Sequence, residues 1–315
     1  GMDLLSGIEQ VVELDLFVLD VGAVFLDRLG DRCQRAKLNQ PEDRATAEAI
    51  QNLLKRTEET GHRSVYVELA NTRGTSPARN AIFDHAEGEY VAVMDCHVEI
   101  TNRILRPEIY DAAPPLNTFQ PLLDHYAANP GTRDIISGPL LHDNGLNVST
   151  HFEDIWSDTM WGQWGVAWQC NCGPDGSLFS LINHHGRTHA RTLTLDPSPL
   201  TACAKCGKEI PALSWPGHET ALAALGFHSL GTDEGPAFEI PGQGLGFFSC
   251  RRDAWQGFPR EAKNFGAEEL CIHEKFRQAG ARALCLPAMK WQHRFYREGG
   301  HRYPNTNFDK CRNSV

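Results

Sequence analysis

The sequence lacks several features that would place the chain in a specialised class of protein. It contains no run of about 18 apolar residues, so no segment is expected to span a membrane. The N-terminus lacks the basic-then-apolar pattern of a secretory signal, which favours a cytoplasmic protein. Acidic residues outnumber basic ones by 40 to 30, and the net charge of −10 disfavours nucleic-acid binding by charge alone. Ten cysteines among 315 residues are too few for a disulfide scaffold.

What is present is a composition that can form a core, arranged as alternating strands and helices. Hydrophobic residues make up 41% of the chain and charged residues 22%, as in a folded globular protein. Apolar runs predict strands at 14–19 and 90–94, and helical periodicity predicts helices at 45–60 and 77–85. This alternation predicts an α/β fold with a mostly parallel sheet flanked by helices.

Two carboxylates lie where predicted strands end, which is where ligands bind in sheets of this kind. They are Asp20 and Asp95, and His97 follows the second of them. Along an extended chain, residues i and i+2 point to the same side, so Asp95 and His97 can reach one ion. A carboxylate and an imidazole suit Mn²⁺ or Mg²⁺ that also holds substrate phosphates. An isolated Asp-x-His is more often a pair of surface residues, and the strand end is what favours a metal site here.

Six short motifs follow one another in a fixed order. They are VLDVG at 18–22, TSPARN at 75–80, AEGEYVAVMDCH at 86–97, GLGFFSCRR at 244–252, FGAEEL at 265–270 and QHRFY at 292–296. As a colinear set they resemble GT-A glycosyltransferases, in particular the family-2 enzymes and the polypeptide N-acetylgalactosaminyltransferases. The resemblance extends over residues 14–100 and 130–300, and it implies a GT-A (Rossmann-like) fold and a nucleotide-diphosphate sugar donor, UDP-linked.

The resemblance also implies a donor site and a metal site. The donor-binding residues would be Asp20, Arg79, Asp95, Gly244 and Gly246. The metal ligands would be Asp95, His97 and His293. A metal ion held there neutralises the charge of the leaving diphosphate. Two of these residues also have an interpretation without a ligand. Arg79 could be an ordinary helix residue, and His293 could be a hydrogen-bonded histidine at a strand end.

The two glutamates of the FGAEEL motif are the candidate catalytic residues. Glu269 matches the catalytic base of inverting relatives, which deprotonates an acceptor hydroxyl, and Glu268 would orient donor or acceptor hydroxyls. In retaining relatives neither glutamate need be a base, so the stereochemical outcome stays open. The alternative interpretation is a solvated first turn of a helix, where acidic side chains favour the helix dipole.

Two departures from the family pattern favour a second hypothesis. The chain opens at what resembles the helix after the first strand, so the nucleotide-gripping first strand is apparently missing. Val21 also stands where the family has a second Asp. The alternative function is therefore a catalytically degenerate GT-A-like binding or scaffold protein that recruits a partner through the cysteine-rich segment.

That segment holds four cysteines in two close pairs, Cys170 and Cys172, then Cys203 and Cys206. Four thiolates in this arrangement predict a tetrahedral structural Zn²⁺ site, and Cys-x-x-Cys-Gly is typical of a zinc ribbon. Disulfides are the competing interpretation. The ribbon would stiffen an insertion at 169–210 or serve in recognition, and its basic run at 184–191 would suit an anionic acceptor.

Four of the seven tryptophans lie just before this segment. Trp156, Trp161 and Trp164 are candidates for the acceptor side, because aromatic faces stack on sugars, although tryptophans also pack in cores.

These signals predict a division of the chain and a function. The nucleotide-sugar half would be 1–100, the acceptor half 101–168 and 211–303, and a loose tail 304–315. The predicted function is a metal-dependent hexosyltransferase acting on a hydroxyl of a protein, a glycan or a hydroxymethylated base of modified phage DNA, in which case the enzyme would work in the host cytoplasm. The oligomeric state is left open.

Overall fold

A computed structural model describes residues 14–19, 55, 59, 75–95, 98–99, 119–143, 148–156, 161–215, 217–231, 235–262, 266–296 and 306–313. The helices in these ranges are α1 (Thr75–His85), α2 (Phe119–Ala128), α3 (His218–Ala224), α4 (Glu268–Gln278) and α5 (Asn307–Asn313). The first strands are β1 (Leu14–Leu19), β2 (Tyr90–Asp95), β3 (Val98–Glu99), β4 (Ile135–Ser137), β5 (Leu140–Leu141), β6 (Val148–Ser149), β7 (His151–Trp156) and β8 (Trp161–Cys170). They are followed by β9 (Leu178–His184), β10 (Arg187–Thr192), β11 (Phe227–Ser229), β12 (Phe238–Glu239), β13 (Phe247–Arg251), β14 (Ala283–Cys285) and β15 (Trp291–His293).

The central sheet has six strands in the order β1-β2-β13-β4-β14-β12. β1 pairs with β2 and β4 with β14 in parallel, whereas β13 and β12 run against their neighbours. Four strands therefore run in one direction and two in the other. The predicted α/β class is confirmed, and β13, which begins just after the predicted donor-site glycines, lies antiparallel beside β2.

Alternation along β2 shows that both faces of this sheet are covered. Val91 and Val93 are fully buried in one apolar cluster, which includes side chains of α1 and α4. Tyr90 and Ala92 point the other way, into a cluster with side chains of α2. A strand buried on both faces reads as a continuous apolar run, which is why 90–94 stands out in the sequence.

A small sheet, in the order β3-β15-β5-β6, extends the end of β2. β15 pairs antiparallel with β3, and the register places His293 opposite Val98. The last predicted metal ligand, His293, therefore lies on a strand paired with β3, which begins three residues after Asp95.

The cysteine-rich segment belongs to a separate antiparallel sheet in the order β10-β9-β8-β11, with β7 also paired to β8. This sheet extends from His151 to Ser229 and is therefore larger than the predicted insertion at 169–210. It encloses its own apolar cluster, which includes Trp168, Phe179 and Phe227.

The C-terminal residues differ from the prediction of a loose tail. Residues 307–313 form α5, and Lys310 and Asn313 of this helix are buried. The predicted helix at 45–60 lies outside the described residues except for Lys55 and Glu59, which are helical. None of the described helices is long and apolar enough to cross a membrane.

Candidate active site

The site is built around Asp95, the last residue of β2. Its side chain is buried, and its amide donates a hydrogen bond of 2.8 Å to the carbonyl of Gly246. The loop that precedes β13 is thereby fixed beside the carboxylate. Asp20 and His97, which the sequence places nearby, lie outside the described residues.

Arg79 of α1 lies beneath this carboxylate and is only 3% exposed. One guanidinium nitrogen, Nη2, lies 3.4 Å from Asp95 Oδ1 and 3.2 Å from the carbonyl oxygen of Leu245. The other, Nη1, lies 3.4 Å from Glu268 Oε1. Arg79 is therefore a buried cation between two carboxylates from distant parts of the chain, and not an ordinary surface residue of a helix.

Glu268, the first residue of α4, is 1% exposed and fully engaged. Its Oε1 accepts a hydrogen bond of 2.7 Å from the hydroxyl of Thr75 in addition to the Arg79 contact. Its Oε2 accepts one of 2.9 Å from the backbone amide of Gly266. The resemblance implies that Glu268 orients substrate hydroxyls, but this carboxylate instead joins α1 to the turn before α4.

Glu269, the next residue, differs from Glu268 in being partly exposed. Burial of its carboxyl group and the negative charge of Glu268 raise the pKa of Glu269 to about 8, against the opposing effect of Arg79. A carboxyl group that titrates near neutral pH is suited to general acid–base chemistry. One turn along the helix, burial lowers the pKa of His273 to about 4, so that this imidazole is neutral at pH 7.

His293, the last residue of β15, packs against the loop that contains Gly246. A Cβ atom on Gly246 would lie 3.2 Å from His293 Cδ2, so the imidazole packs against the residue whose carbonyl binds the Asp95 amide. A carboxylate and an imidazole are both ligands that Mn²⁺ or Mg²⁺ accepts, so the chemistry of Asp95 and His293 is compatible with such a site. His97 would complete the set.

The two donor-site glycines allow aromatic rings to approach the backbone. A Cβ atom on Gly244 would lie 2.9 Å from Trp164 Cη2, and one on Gly246 would lie 2.8 Å from Trp291 Cζ3. Real Cβ atoms do not come this close, so both positions require glycine for packing. The resemblance implies donor contacts for these glycines; the structure adds this steric reason for their presence.

An aromatic wall adjoins Gly244. Trp164 stacks on Phe152 with ring centroids 3.5 Å apart, and the ring of Phe295, 38% exposed, lies edge-on to Trp164 at 6.2 Å. Trp164 thus lies against the Gly244 loop, and its place on the acceptor side stays a prediction. Trp156 and Trp161 pair across β7 and β8, and their side chains lie outside the described residues.

The four ribbon cysteines converge at one end of β8. Cys170 and Cys206 have sulfurs 3.7 Å apart, as have Cys172 and Cys203, and all four lie within 4.8 Å of one another. Tetrahedral Zn–S bonds of about 2.3 Å put sulfurs about 3.8 Å apart, whereas a disulfide needs about 2.05 Å. A hydrogen bond with the Ser177 hydroxyl lowers the pKa of Cys203 to about 5, and burial raises the pKa of Cys172 to about 12.

Residues 40–115 match the family model of Glycosyl transferase family 2. The match covers about a quarter of the chain and includes the motifs at 75–80 and 86–97, so the resemblance to family-2 glycosyltransferases is confirmed there. Together with the α/β sheet it agrees with the predicted GT-A fold. The later motifs lie outside the matched segment, and their residues are joined to it only by the contacts described above.

Among solved structures, GalNAc-T7 with UDP, GalNAc and Mn²⁺ is similar to 84% of this chain, at 15% sequence identity and a TM-score of 0.46. The chain spans 39% of the length of that protein. No curated protein sequence matches the chain.

Sequence reasoning missed several residues of the site. Thr75 and Phe295 belong to recognised motifs but had no assigned role, and Phe152 carried no signal beyond being aromatic. Asn313 and Lys310 fell in the predicted tail. The polar pair Thr75-Ser76 was a usable signal, because such residues commonly begin helices, and α1 begins at Thr75.

Proposed function

We propose that the chain is a metal-dependent glycosyltransferase that moves a sugar from a nucleotide-diphosphate sugar, UDP-linked, to a hydroxyl acceptor. One observation carries the proposal. Three family motifs, of which the last lies far along the chain from the first two, meet through Arg79, which contacts Asp95 and Glu268 at 3.4 Å each. The meeting point lies at the carboxyl end of a central strand, where α/β proteins bind ligands.

Asp95, His97 and His293 would hold Mn²⁺ or Mg²⁺. When bound there, the ion supplies Lewis-acid stabilisation of the charge that develops on the leaving diphosphate. Arg79 does not reach substrate directly, since it is buried; it keeps the Asp95 carboxylate in place from below. A preorganised carboxylate of this kind avoids the cost of reorienting it during the reaction.

Glu269 is proposed as the general base that removes the proton of the acceptor hydroxyl. The residue is partly exposed, unlike Glu268, and its raised pKa brings its basicity near the value that proton transfer at neutral pH requires. Glu268 is proposed as a positioning residue, because its oxygens already bind Thr75, Gly266 and Arg79. With this assignment the reaction would invert configuration, an outcome that the resemblance to both inverting and retaining relatives leaves open.

The acceptor is proposed to bind against Trp164, whose ring stands beside Gly244. Stacking of a sugar or another flat face on this ring would orient the hydroxyl toward Glu269. The four ribbon cysteines are proposed to hold a structural Zn²⁺, on the basis of their spacing.

The function is tested by measuring Mn²⁺-dependent hydrolysis and transfer with a panel of nucleotide sugars. Asp95→Asn and His293→Ala should each abolish turnover, because each removes a ligand for the ion. Arg133→Met, which changes an exposed ion pair with Asp253, serves as the matched control and should retain activity. Turnover in both site variants equal to that of the control would refute the metal site.

A thermal-shift panel with the same donors separates an enzyme from a degenerate scaffold. A specific donor raises the melting temperature by mass action. A shift with one donor that depends on Mn²⁺ supports the transferase, and no shift with any donor favours the scaffold. Glycan, peptide and hydroxymethylated-DNA acceptors added to the active pair then identify the acceptor.

A further inference from the structure

The turn that precedes the two glutamates has an unusual backbone. Gly266 has a φ of 104° and Ala267 a φ of 70°, so two consecutive residues adopt left-handed conformations. Ala267 is one of only two residues other than glycine with positive φ in the described part of the chain. A residue with a Cβ atom adopts this conformation at an energetic cost, and it persists only where surrounding contacts hold it.

The C-terminal helix α5 supplies such contacts. Asn313 Nδ2 donates a hydrogen bond of 3.1 Å to the carbonyl of Gly266, and the Asn313 side chain is 2% exposed. The aliphatic part of Lys310 lies across the same residue, since a Cβ atom on Gly266 would be 3.1 Å from Lys310 Cγ. The side chains of Asn313 and Lys310 therefore both contact Gly266 in the turn before α4.

Gly266 is held from its other side by the active site. Its amide donates to Glu268 Oε2 at 2.9 Å, and Glu268 in turn contacts Arg79, which contacts Asp95. One residue thus has its carbonyl bound by α5 and its amide bound by the carboxylate that faces Arg79. A continuous series of hydrogen bonds and ion pairs connects Asn313 to Asp95.

The composition of α5 agrees with this connection. Among its described side chains the buried ones are Lys310 and Asn313, whereas Phe308 is 74% exposed. A helix that docked for hydrophobic stabilisation would bury its aromatic residue and expose its lysine and asparagine. This helix does the opposite.

We propose that α5 is a positioning element of the active site: Asn313 and Lys310 hold the Gly266–Ala267 turn in its left-handed conformation and thereby set the orientation of Glu268 and Glu269. The catalytic consequence rests on the proposed function, in which Glu269 is the base. The mechanical part, that α5 holds the turn, is independent of it.

Amide hydrogen exchange tests the mechanical part directly in the full chain. In Asn313→Ala, the amides of residues 266–270 should exchange about fivefold faster, which at about 1.4 kcal/mol per tenfold is the ~1 kcal/mol of one hydrogen bond. Asn313→Asp, which keeps the shape but loses the donor, should behave in the same way. Phe308→Ala, on the exposed side of the same helix, is the control and should leave these amides unchanged.

Exchange in β9, which lies in the separate antiparallel sheet of the cysteine-rich segment, must stay constant so that global unfolding is not mistaken for a local effect. If the amides of 266–270 keep their protection in both Asn313 variants, α5 does not hold the turn and the proposal is overturned.

Kinetics test the positioning part. We expect kcat to fall about fivefold in Asn313→Ala while KM for the donor changes less than about twofold, because the donor site itself is intact. Faster exchange with an unchanged kcat would overturn the positioning role. If the wild-type chain transfers no sugar from any donor, the proposed function fails, and exchange alone then decides whether α5 holds the turn.

Discussion

Removing the guanidinium of Arg79 is the perturbation that the structure predicts most sharply. Arg79→Met keeps an unbranched side chain of similar length and deletes only the charge and the donors. Two buried carboxylates, Asp95 and Glu268, would then lose the cation that lies 3.4 Å from each. Side-chain exposure of 3% for Arg79 and 1% for Glu268 means that water cannot replace it.

The expected size follows from this burial. Breaking a buried ion pair by removing one partner costs about 3–5 kcal/mol, because the remaining charge is left in a medium of low polarity. For a domain of this size the melting temperature falls roughly 2 °C per kcal/mol, so a decrease of about 6–10 °C is expected. The exposed pair of Arg133 and Asp253, broken by Arg133→Met, should cost less than about 1 kcal/mol.

The assay is a double-mutant cycle by urea denaturation with Arg79→Met, Glu268→Gln and the pair of changes together. Arg79→Met leaves two buried carboxylates without a cation, and Glu268→Gln removes the charge of one of them. The double variant should therefore be about 1–3 kcal/mol more stable than the sum of the single effects predicts. Additive effects within about 0.5 kcal/mol, or a loss in Arg79→Met no larger than in Arg133→Met, would refute the electrostatic account of this cluster.

Four further outcomes are expected. If Glu269 is the base, kcat should rise as the pH increases through about 8, and Glu269→Gln should abolish that rise. Because burial raises the pKa of Glu269 from 4.5 to about 8, its protonated form favours folding, so stability should fall as the pH rises between these values and fall less in Glu269→Gln. Cys206→Ser should remove zinc by elemental analysis and lower the melting temperature. Gly246→Ala, whose Cβ atom would lie 2.8 Å from Trp291, should destabilise the chain by about 1–3 kcal/mol, whereas Gly235→Ala, with nothing within 4 Å, should not.

The parts that sequence predicted well are those in which local pattern and burial agree. β2 is apolar throughout because both of its faces are covered, and its end at Asp95 follows from the change to polar residues. The bounds of α4, Glu268–Gln278, also follow a local pattern, because the helix begins with two glutamates and ends shortly before Gly280. The cysteine cluster could also be predicted from the sequence, because the short spacing within each pair of cysteines is a local property.

The parts that were not predicted depend on contacts between distant residues. Nothing local distinguishes Glu268 from Glu269, yet the first is buried against Thr75, which lies 193 positions earlier, and the second is partly exposed. The resemblance implies donor contacts for the glycines at 244 and 246. Their packing against Trp164 and Trp291 could not be predicted, because these tryptophans are distant from them in sequence. The polar residues of α5 looked like a solvated tail, since a buried lysine and asparagine carry no apolar signal.

Arg79 explains why motifs that are individually weak are informative together. A guanidinium that is 3% exposed carries a large desolvation cost, which only nearby carboxylates and hydrogen-bond acceptors offset. Those carboxylates belong to the MDCH and FGAEEL motifs, and the arginine to TSPARN. Losing the arginine would leave two buried carboxylates without the cation that lies 3.4 Å from each. The presence of all three motifs in order along one chain therefore indicates a single folded unit in which the motifs stabilise one another. Three independent surface motifs would not need to occur together.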